Sequence, residues 1–251
     1  MPSLKTKLAR PDARLTLHIC TIPSAIIPQA MAAAGADGVI IDMEHGAIDY
    51  ADAHAMIAAT AVTDCAPLVR VVENRADHVK RALDMGAEGI VFPMIRSADD
   101  ARRAVASMRY PPDGNRGFGP FVAQSRWNTT LMGYVADIAP NLVCCLLIET
   151  RDSVDNIDAI CAVEGIDLLI PAQFDLSTDL GLMGQFDHPD FLAAVGRIET
   201  AAKAADIPLG QVALTREAAQ AAYAKGYRVT AGFDAIWLRN AAQAATDWSR
   251  E

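Results

Sequence analysis

A regular alternation of short apolar segments with longer alanine-rich segments is the feature of this 251-residue chain that most constrains its fold. The apolar segments are rich in Val, Ile and Leu, as expected of strands buried on both faces of a parallel sheet. Strands are predicted at residues 15–20, 39–41, 67–71, 88–93, 142–148, 167–170, 209–214 and 227–230. Helices are predicted at residues 24–35, 49–62, 75–85, 97–108, 152–163, 189–205, 216–225 and 233–247, with an irregular segment at 177–184 in the sixth unit.

Eight such strand-then-helix units predict an α/β protein with a single (β/α)8 barrel over residues 1–251. A doubly wound open sheet is the alternative, because it shows the same alternation. The pattern is interrupted between residues 109 and 140. A connection of that length in a compact domain usually has a function.

Composition limits the classes of partner. The formal net charge of -9 argues against nucleic acid and anionic membranes, because binding to phosphates needs a basic patch. No apolar run has membrane-spanning length, and residues 1–11 lack the apolar core of a secretory signal. The five cysteines are scattered, which is typical of reduced core residues. A cytoplasmic location is therefore expected.

Three ionisable residues follow the second strand. Asp42, Glu44 and His45 come directly after the apolar run 39–41. Burying such a cluster is costly unless its members are paired, bind a metal or take part in catalysis, so the stretch is a candidate site. A solvated loop after a strand is the alternative.

Other strands also end in charged residues. Arg70 follows the third strand, Glu149 follows the fifth, and Asp175 lies in the turn after the sixth. In a (β/α)8 barrel the catalytic groups come from the carboxyl ends of several strands, so these side chains should converge. Two carboxylates, Glu149 and Asp175, suit Mg²⁺ or Mn²⁺, which fill their other positions with water and substrate. Pairing of either carboxylate with Arg70 or Arg151 is the alternative.

Five short motifs in order resemble the HpcH/HpaI family of metal-dependent class II pyruvate aldolases, and the similarity runs from about residue 14 to residue 247. Each motif alone is weak evidence for the family, but five motifs in order at family-like spacing are specific for it. The motifs are DMEHG (42–46), GAEGIVFPM (86–94), YPP (110–112) with RGFG (116–119), IETR (148–151) and DLS (175–177).

The resemblance implies a phosphoenolpyruvate/pyruvate-type barrel that forms a hexamer of dimers with an exchanged C-terminal helix. It implies that Glu149 and Asp175 bind Mg²⁺, Mn²⁺ or Co²⁺, with no organic cofactor. The metal would chelate the carboxylate and keto oxygens of a 2-oxo acid.

The resemblance also implies roles for four other side chains. His45, supported by Asp42, would act as the acid/base, and Arg70 would stabilise the enolate. Asp84 matches a family aspartate that raises the basicity of this histidine, either within its own subunit or across a subunit contact. Without the resemblance, the sequence predicts only that Asp84 is an exposed carboxylate at the end of a helix.

The chain departs from the family pattern near the substrate. Relatives often have Gly-Pro-Ala before the metal-binding aspartate, where this chain has Ala172, Gln173 and Phe174, and a glutamine where it has Leu147. Backbone amides near Phe174 remain able to receive the substrate carboxylate. The expected substrate-binding residues are therefore Arg70, Leu147, Phe174 and Asp175, with hydroxypyruvate as an alternative to pyruvate.

The predicted function is reversible cleavage of a 4-hydroxy-2-oxo acid to a 2-oxo acid and an aldehyde through a metal-stabilised enolate. No lysine lies at a predicted strand end, which separates the chain from Schiff-base aldolases. The alternatives are an acyl-CoA lyase of the citryl- or malyl-CoA type, which needs cations for nucleotide phosphates, and a metal-binding barrel without turnover.

Overall fold

Eight parallel strands form the centre of the structure, a computed structural model that describes residues 3–250. Their order in the sheet is β6-β5-β4-β3-β2-β1-β8-β7. A bridge between Leu169 and Leu209 joins β6 to β7 and brings the sheet close to closure. The strands are β1 Leu15–Cys20, β2 Gly38–Asp42, β3 Ala66–Arg70, β4 Gly89–Phe92, β5 Val143–Ile148, β6 Leu168–Pro171, β7 Gly210–Val212 and β8 Val229–Ala231.

The predicted (β/α)8 barrel is thus confirmed, and the open sheet is not observed. Residues 1, 2 and 251 of the predicted domain lie outside the described residues. The helices are α1 Leu4–Leu8, α2 Ile26–Ala33, α3 Tyr50–Ala58, α4 Ala76–Asp84, α5 Ala98–Met108, α6 Ala123–Arg126, α7 Leu131–Gly133, α8 Arg151–Asp155, α9 Ile157–Cys161, α10 Gln173–Asp179, α11 Pro189–Ala204, α12 Arg216–Ala224 and α13 Asp234–Asp247. A π-helix at Tyr134–Ile138 and a 3-10 helix at Ala139–Asn141 lead into β5.

Two predicted boundaries are wrong. The single helix expected at 152–163 is divided into α8 and α9 at Asn156, whose side-chain amide donates to the carbonyl oxygens of Arg96 and Asp152, both at 3.0 Å. Asn156 therefore lies between two short helices, held by its side-chain hydrogen bonds, and not inside one continuous helix. The segment 177–184 was expected to be irregular, but α10 covers its first residues.

The inside of the barrel is apolar along most of its length. Alternate residues of the strands point inward and pack together, among them Leu17, Ile40, Leu68 and Leu147. The short helix α1, which the sequence analysis did not predict, closes the amino-terminal end of the barrel with Leu4 and Leu8. Fully burying a leucine side chain typically contributes about 1.5–3 kcal/mol, so α1 is a substantial part of the core. The carboxyl end of the barrel is left as the polar mouth.

The helices form the outer layer of the barrel.

All five cysteines are buried free thiols, as predicted for core residues. Among residues 3–250, no helix has both the length and the apolar character needed to cross a bilayer.

The last helix, α13, is fixed to the barrel only near its beginning. Trp237 packs edge to face on His18 of β1 with ring centroids 4.7 Å apart. Residues 238–250 are all exposed, including Leu238 (61%) and Trp248 (77%). The exchange of this helix between partners therefore stays a prediction.

Candidate active site

The carboxylate of Asp42, the last residue of β2, organises the mouth of the barrel. It is fully buried and accepts hydrogen bonds from Nε of Arg70 at 2.7 Å and from Nη2 of the same guanidinium. Asp42 and Arg70 are direct partners in the β2–β3 register, so strand pairing places them side by side. Asp42 also accepts the backbone N–H groups of Glu44 (3.0 Å) and His45 (3.2 Å). Asp42 therefore fixes both the guanidinium of Arg70 and the turn after β2.

Arg70 is a largely buried cation, with its side chain 11% exposed, and it lies among carboxylates. Burial lowers the pKa of its guanidinium, but the hydrogen bonds and charge of Asp42 and the charge of Glu44 outweigh burial, and the pKa is raised. Nη1 lies 3.4 Å from Oε2 of Glu44. The guanidinium is therefore permanently charged and held in one orientation.

Glu44 and His45 follow Asp42 in the turn. Burial raises the pKa of Glu44, Arg70 lowers it, and the charges of Asp42 and Asp175 raise it further. In the part of the chain that the structure describes, Glu44 is the only acidic residue within 4 Å of a ring nitrogen of His45, with Oε2 3.8 Å from Nε2. The imidazole side chain is 63% exposed. The contact of Asp42 with His45 is to the peptide N–H and not to the ring.

Glu149 lies directly after β5 and is 4% exposed. One carboxylate oxygen accepts the backbone N–H of Met94, which follows β4 and has a φ of 55°, in the left-handed region that non-glycine residues seldom adopt. Burial raises the pKa of Glu149 to about 7; the Met94 hydrogen bond lowers it, whereas the charges of Asp175 and Glu44 raise it further. The role of Met94 was missed because the sequence does not show which way its N–H points.

The structural alternative for the two carboxylates is not observed. Among residues 3–250, no ion pair within 4 Å includes Glu149 or Asp175. Arg70 is engaged with Asp42 and Glu44 instead. The side chain of Arg151 approaches the carbonyl oxygen of Leu180 at 3.4 Å.

The first turn of α10 carries Asp175 and Phe174. The charge of Asp175 acts on both Glu149 and Glu44, so the three carboxylates lie at one mouth. Phe174 is 48% exposed and packs edge to face on Phe186 with ring centroids 5.3 Å apart. Leu147 is 4% exposed and belongs to the apolar cluster inside the barrel.

The donor set fits a divalent cation that also takes substrate and water as ligands. No group of three or more His, Cys, Asp or Glu side chains among residues 3–250 is arranged to hold a metal by itself. A Mg²⁺ or Mn²⁺ site of one or two carboxylates does not require a third protein ligand. The buried Glu149 experiences the charge of two other carboxylates. Oε2 of Glu44 has no hydrogen-bond partner within residues 3–250, although Nη1 of Arg70 lies 3.4 Å away. This local excess of negative charge is what a cation would neutralise.

Asp84 is not part of this mouth. It is the last residue of α4, and β4 begins five residues later, so Asp84 lies near the amino-terminal end of the barrel. Its Oδ1 accepts a hydrogen bond from Nη2 of the buried Arg116 at 2.8 Å. Burial raises the pKa of Asp84, and the hydrogen bond and charge of Arg116 lower it. Within one chain, Asp84 and His45 are therefore at opposite ends of the barrel.

Comparisons with known proteins agree with this geometry. The model of the HpcH/HpaI aldolase/citrate lyase family matches residues 20–241. The 2-dehydro-3,6-dideoxy-6-sulfogluconate aldolase of Pseudomonas putida is 36% identical over 208 residues, which are 83% of this chain and 81% of that protein. The 4-hydroxy-2-oxo-heptane-1,7-dioate aldolase of Salmonella typhimurium is 37% identical over 216 residues, or 84% of this chain and 80% of the relative.

A solved structure shows the same fold over the whole chain. The crystal structure of a HpcH/HpaI aldolase/citrate lyase family protein from Burkholderia cenocepacia superposes with a TM-score of 0.91, at 32% identity and with 99% of both chains covered. Because the family model spans nearly all of the barrel and the relatives are matched over most of their length, the chain belongs to the HpcH/HpaI aldolase/citrate lyase family.

Proposed function

We propose that this protein is a divalent-metal-dependent aldolase that reversibly cleaves a 4-hydroxy-2-oxo acid to a 2-oxo acid and an aldehyde. The observation that carries the proposal is the arrangement at the mouth of the barrel. A largely buried Arg70, oriented by Asp42, lies at the same mouth as Glu149 and Asp175, and neither of these carboxylates forms an ion pair within 4 Å among residues 3–250. Named aldolases at 36% and 37% identity support the same class of reaction.

Glu149 and Asp175 would hold the metal, for which Mg²⁺, Mn²⁺ and Co²⁺ are the candidates. When bound, the cation would act as a Lewis acid on the carbonyl group of the 2-oxo acid. Before binding, Glu149 has to lose its proton, because burial raises its pKa to about 7. No organic cofactor is proposed.

Arg70 would stabilise the enolate oxygen. Asp42 accepts one N–H from Nε and one from Nη2, which leaves the second N–H of Nη2 and both N–H groups of Nη1, the nitrogen that lies 3.4 Å from Oε2 of Glu44. These donors are oriented before the substrate arrives, so no reorganisation is needed as negative charge develops. Such preorganised donors typically contribute about 10²- to 10³-fold to turnover.

His45 would move the proton. In the cleavage direction it removes the proton of the C4 hydroxyl, the C3–C4 electron pair passes to the 2-oxo acid to give the enolate, and the aldehyde leaves. Its exposed imidazole suits this exchange with substrate, and the backbone contact of Asp42 holds the residue at the mouth. We further propose that Asp84 of a neighbouring subunit supports the imidazole, since Asp84 of the same chain lies at the far end of the barrel.

The 2-oxo acid is proposed to be pyruvate or hydroxypyruvate. Leu147 and Phe174 would border it, and both give an apolar wall. Backbone amides at the start of α10 have no acceptor within that helix and would receive the substrate carboxylate. We propose a cytoplasmic homo-oligomer, hexameric by its resemblance to the family, and the long exposed part of α13 supports a further packing contact.

The acyl-CoA lyase alternative is less well supported. It needs cations at the mouth for nucleotide phosphates. The arginines in the segments that the sequence suggests for the cleft are Arg70, Arg116 and Arg126, and each of them already has a partner. Arg70 is paired with Asp42, Arg116 is buried against Asp84, and Arg126 donates to Oγ1 of Thr60 at 3.1 Å.

The proposed function is tested by a retro-aldol assay. Protein freed of metal with EDTA is given 4-hydroxy-2-oxo-heptane-1,7-dioate and related 4-hydroxy-2-oxo acids, and the released 2-oxo acid is measured. We expect no release until Mn²⁺, Mg²⁺ or Co²⁺ is added. Full activity in EDTA would refute the metal requirement, and cleavage of citryl- or malyl-CoA in place of the hydroxy acids would support the alternative.

A further inference from the structure

Asp234 is a buried carboxylate at the mouth that the sequence analysis did not identify. It is the first residue of α13, three positions after the end of β8, and is 5% exposed. Its oxygens accept the N–H of Thr21 (2.9 and 3.0 Å), the hydroxyl of Thr21 (2.7 Å) and the N–H groups of Ile22 (3.0 Å) and Ala235 (2.7 Å). The charge is therefore satisfied entirely by neutral donors.

This network joins the end of β8 to the loop that follows β1. Thr21 comes directly after β1, and the two residues are 213 positions apart in the sequence. Several hydrogen bonds to one carboxylate fix the position of a loop more tightly than a single contact does. The loop residues 21 and 22 are consequently held against the mouth.

The held loop in turn contacts the turn that carries His45. A Cβ added at Gly46 would lie 3.2 Å from the carbonyl oxygen of Thr21 and 2.3 Å from that of Asp42. The Asp42 carbonyl, in the same turn, excludes a side chain at Gly46, and the Thr21 carbonyl from the neighbouring strand end lies close to the same position. His45 precedes this glycine directly, so the position of the Thr21 carbonyl limits where the backbone of His45 can lie.

We propose that Asp234 is a positioning residue that acts through Thr21 and Gly46 to hold His45 at the mouth. Among residues 3–250, the hydrogen bonds of Asp234 go to Thr21, Ile22 and Ala235 and not to Glu149 or Asp175. The contacts of Asp234 with Thr21, and of Thr21 with Gly46, belong to the fold and do not depend on the proposed function. The inference rests on the proposed function only for the catalytic role of His45. Misplacement of a catalytic group by about 1 Å can reduce turnover by about 10²-fold.

The competing explanation is that Asp234 only anchors α13. A matched control distinguishes the two. Asp167 is also a largely buried carboxylate beside a strand: its side chain is 12% exposed, it accepts the N–H of Cys144 at 2.9 Å, and its other oxygen pairs with Nζ of Lys5 at 3.0 Å. It precedes β6 and so lies at the amino-terminal end of the barrel, far from His45.

The experiment compares Asp234→Asn with Asp167→Asn in the full chain. Asp234→Asn places an amide donor against backbone N–H groups, and Asp167→Asn weakens the contacts to the Cys144 N–H and to Lys5, so each should lower the melting temperature. We expect Asp234→Asn to lower kcat by about 10-fold or more with Mn²⁺ affinity unchanged, and Asp167→Asn to leave kcat unchanged. Thr21→Val, which removes only the hydroxyl, should lower kcat by a smaller factor and serves if Asp234→Asn does not fold.

A second measurement does not depend on activity. The imidazole signals of His45 in ¹⁵N-histidine-labelled protein, assigned with His45→Gln, should move in Asp234→Asn and Thr21→Val but not in Asp167→Asn. Unchanged His45 signals together with wild-type kcat per folded molecule would overturn the positioning role. If the signals move but the wild-type protein cleaves no aldol, the positioning role stands and the proposed function fails.

Discussion

Glu149→Gln is expected to stabilise the metal-free protein at pH 8 while abolishing its activity. Burial raises the pKa of Glu149 to about 7, from a reference value of 4.5. The folded state therefore keeps this proton over a pH range in which the unfolded state has released it. Stability from this group is present below about pH 4.5 and is lost as the pH rises to about 7.

The size of the effect follows from the shift. The difference between a pKa of 4.5 in the unfolded state and about 7 in the folded state lowers the free energy of unfolding by about 3 kcal/mol above pH 7. There the folded protein has to hold the Glu149 carboxylate charged. Glutamine has no charge to bury, and its Oε1 can still accept the Met94 N–H. For a chain of this length, about 1 kcal/mol changes the melting temperature by roughly 2–4 °C, so we expect a rise of at least about 5 °C.

The assay is thermal unfolding in EDTA at pH 5 and pH 8, with Glu164→Gln, a change at an exposed glutamate, as the control. The Glu149→Gln advantage should be largest at pH 8 and fall to roughly a quarter of that size at pH 5. Mn²⁺ should then stabilise the wild type and leave the variant unaffected. A variant that is less stable than the wild type at pH 8, or equally shifted at both pH values, would refute the reasoning.

Three further substitutions test the other residues at the mouth. Arg70→Ala should reduce turnover by about 10²- to 10³-fold, and it should also lower stability because Asp42 loses its partner; unchanged turnover per folded molecule would make Arg70 purely structural. His45→Gln should keep Mn²⁺ binding, measured by calorimetry, and lose roughly 10²-fold or more in kcat; wild-type turnover would exclude it as the base. Phe174→Ala should change the ratio of kcat/KM for hydroxypyruvate and pyruvate as aldol donors, because its ring is half-exposed at the mouth, and an unchanged ratio would place it outside the donor pocket.

The strand ends could be predicted from the sequence because a charged residue after an apolar run marks where a buried strand stops. Glu149 after β5 and Arg70 at the end of β3 were identified in this way, and the barrel and the family are confirmed. The choice of partner could not be predicted. Arg70 pairs with Asp42 because the two are opposite each other in the register of β2 and β3, and the sequence does not show which strands pair or in which register.

Other features depend on contacts between distant parts of the chain. Thr21 and Ile22, which donate to Asp234, are more than 200 positions away in the sequence, so no local pattern marks this residue. The helix α1 has a weak signal, since Leu4 and Leu8 are four residues apart on one helical face, but the lysines between them make the segment look like a polar terminus. Asp84 matches the family pattern in the sequence. Only the fold shows that Asp84 lies at the opposite end of the barrel from the mouth of the same chain.

The central claim is that Glu149 and Asp175 hold a divalent metal on which enolisation of a 2-oxo acid depends. The most direct measurement is exchange of the C3 protons of pyruvate with D₂O, followed by NMR, in protein stripped with EDTA and then titrated with Mn²⁺ or Mg²⁺. We predict no exchange in the stripped protein and exchange that rises as the metal is bound. Exchange at full rate in EDTA, or its persistence in Glu149→Ala and Asp175→Ala, would contradict the claim.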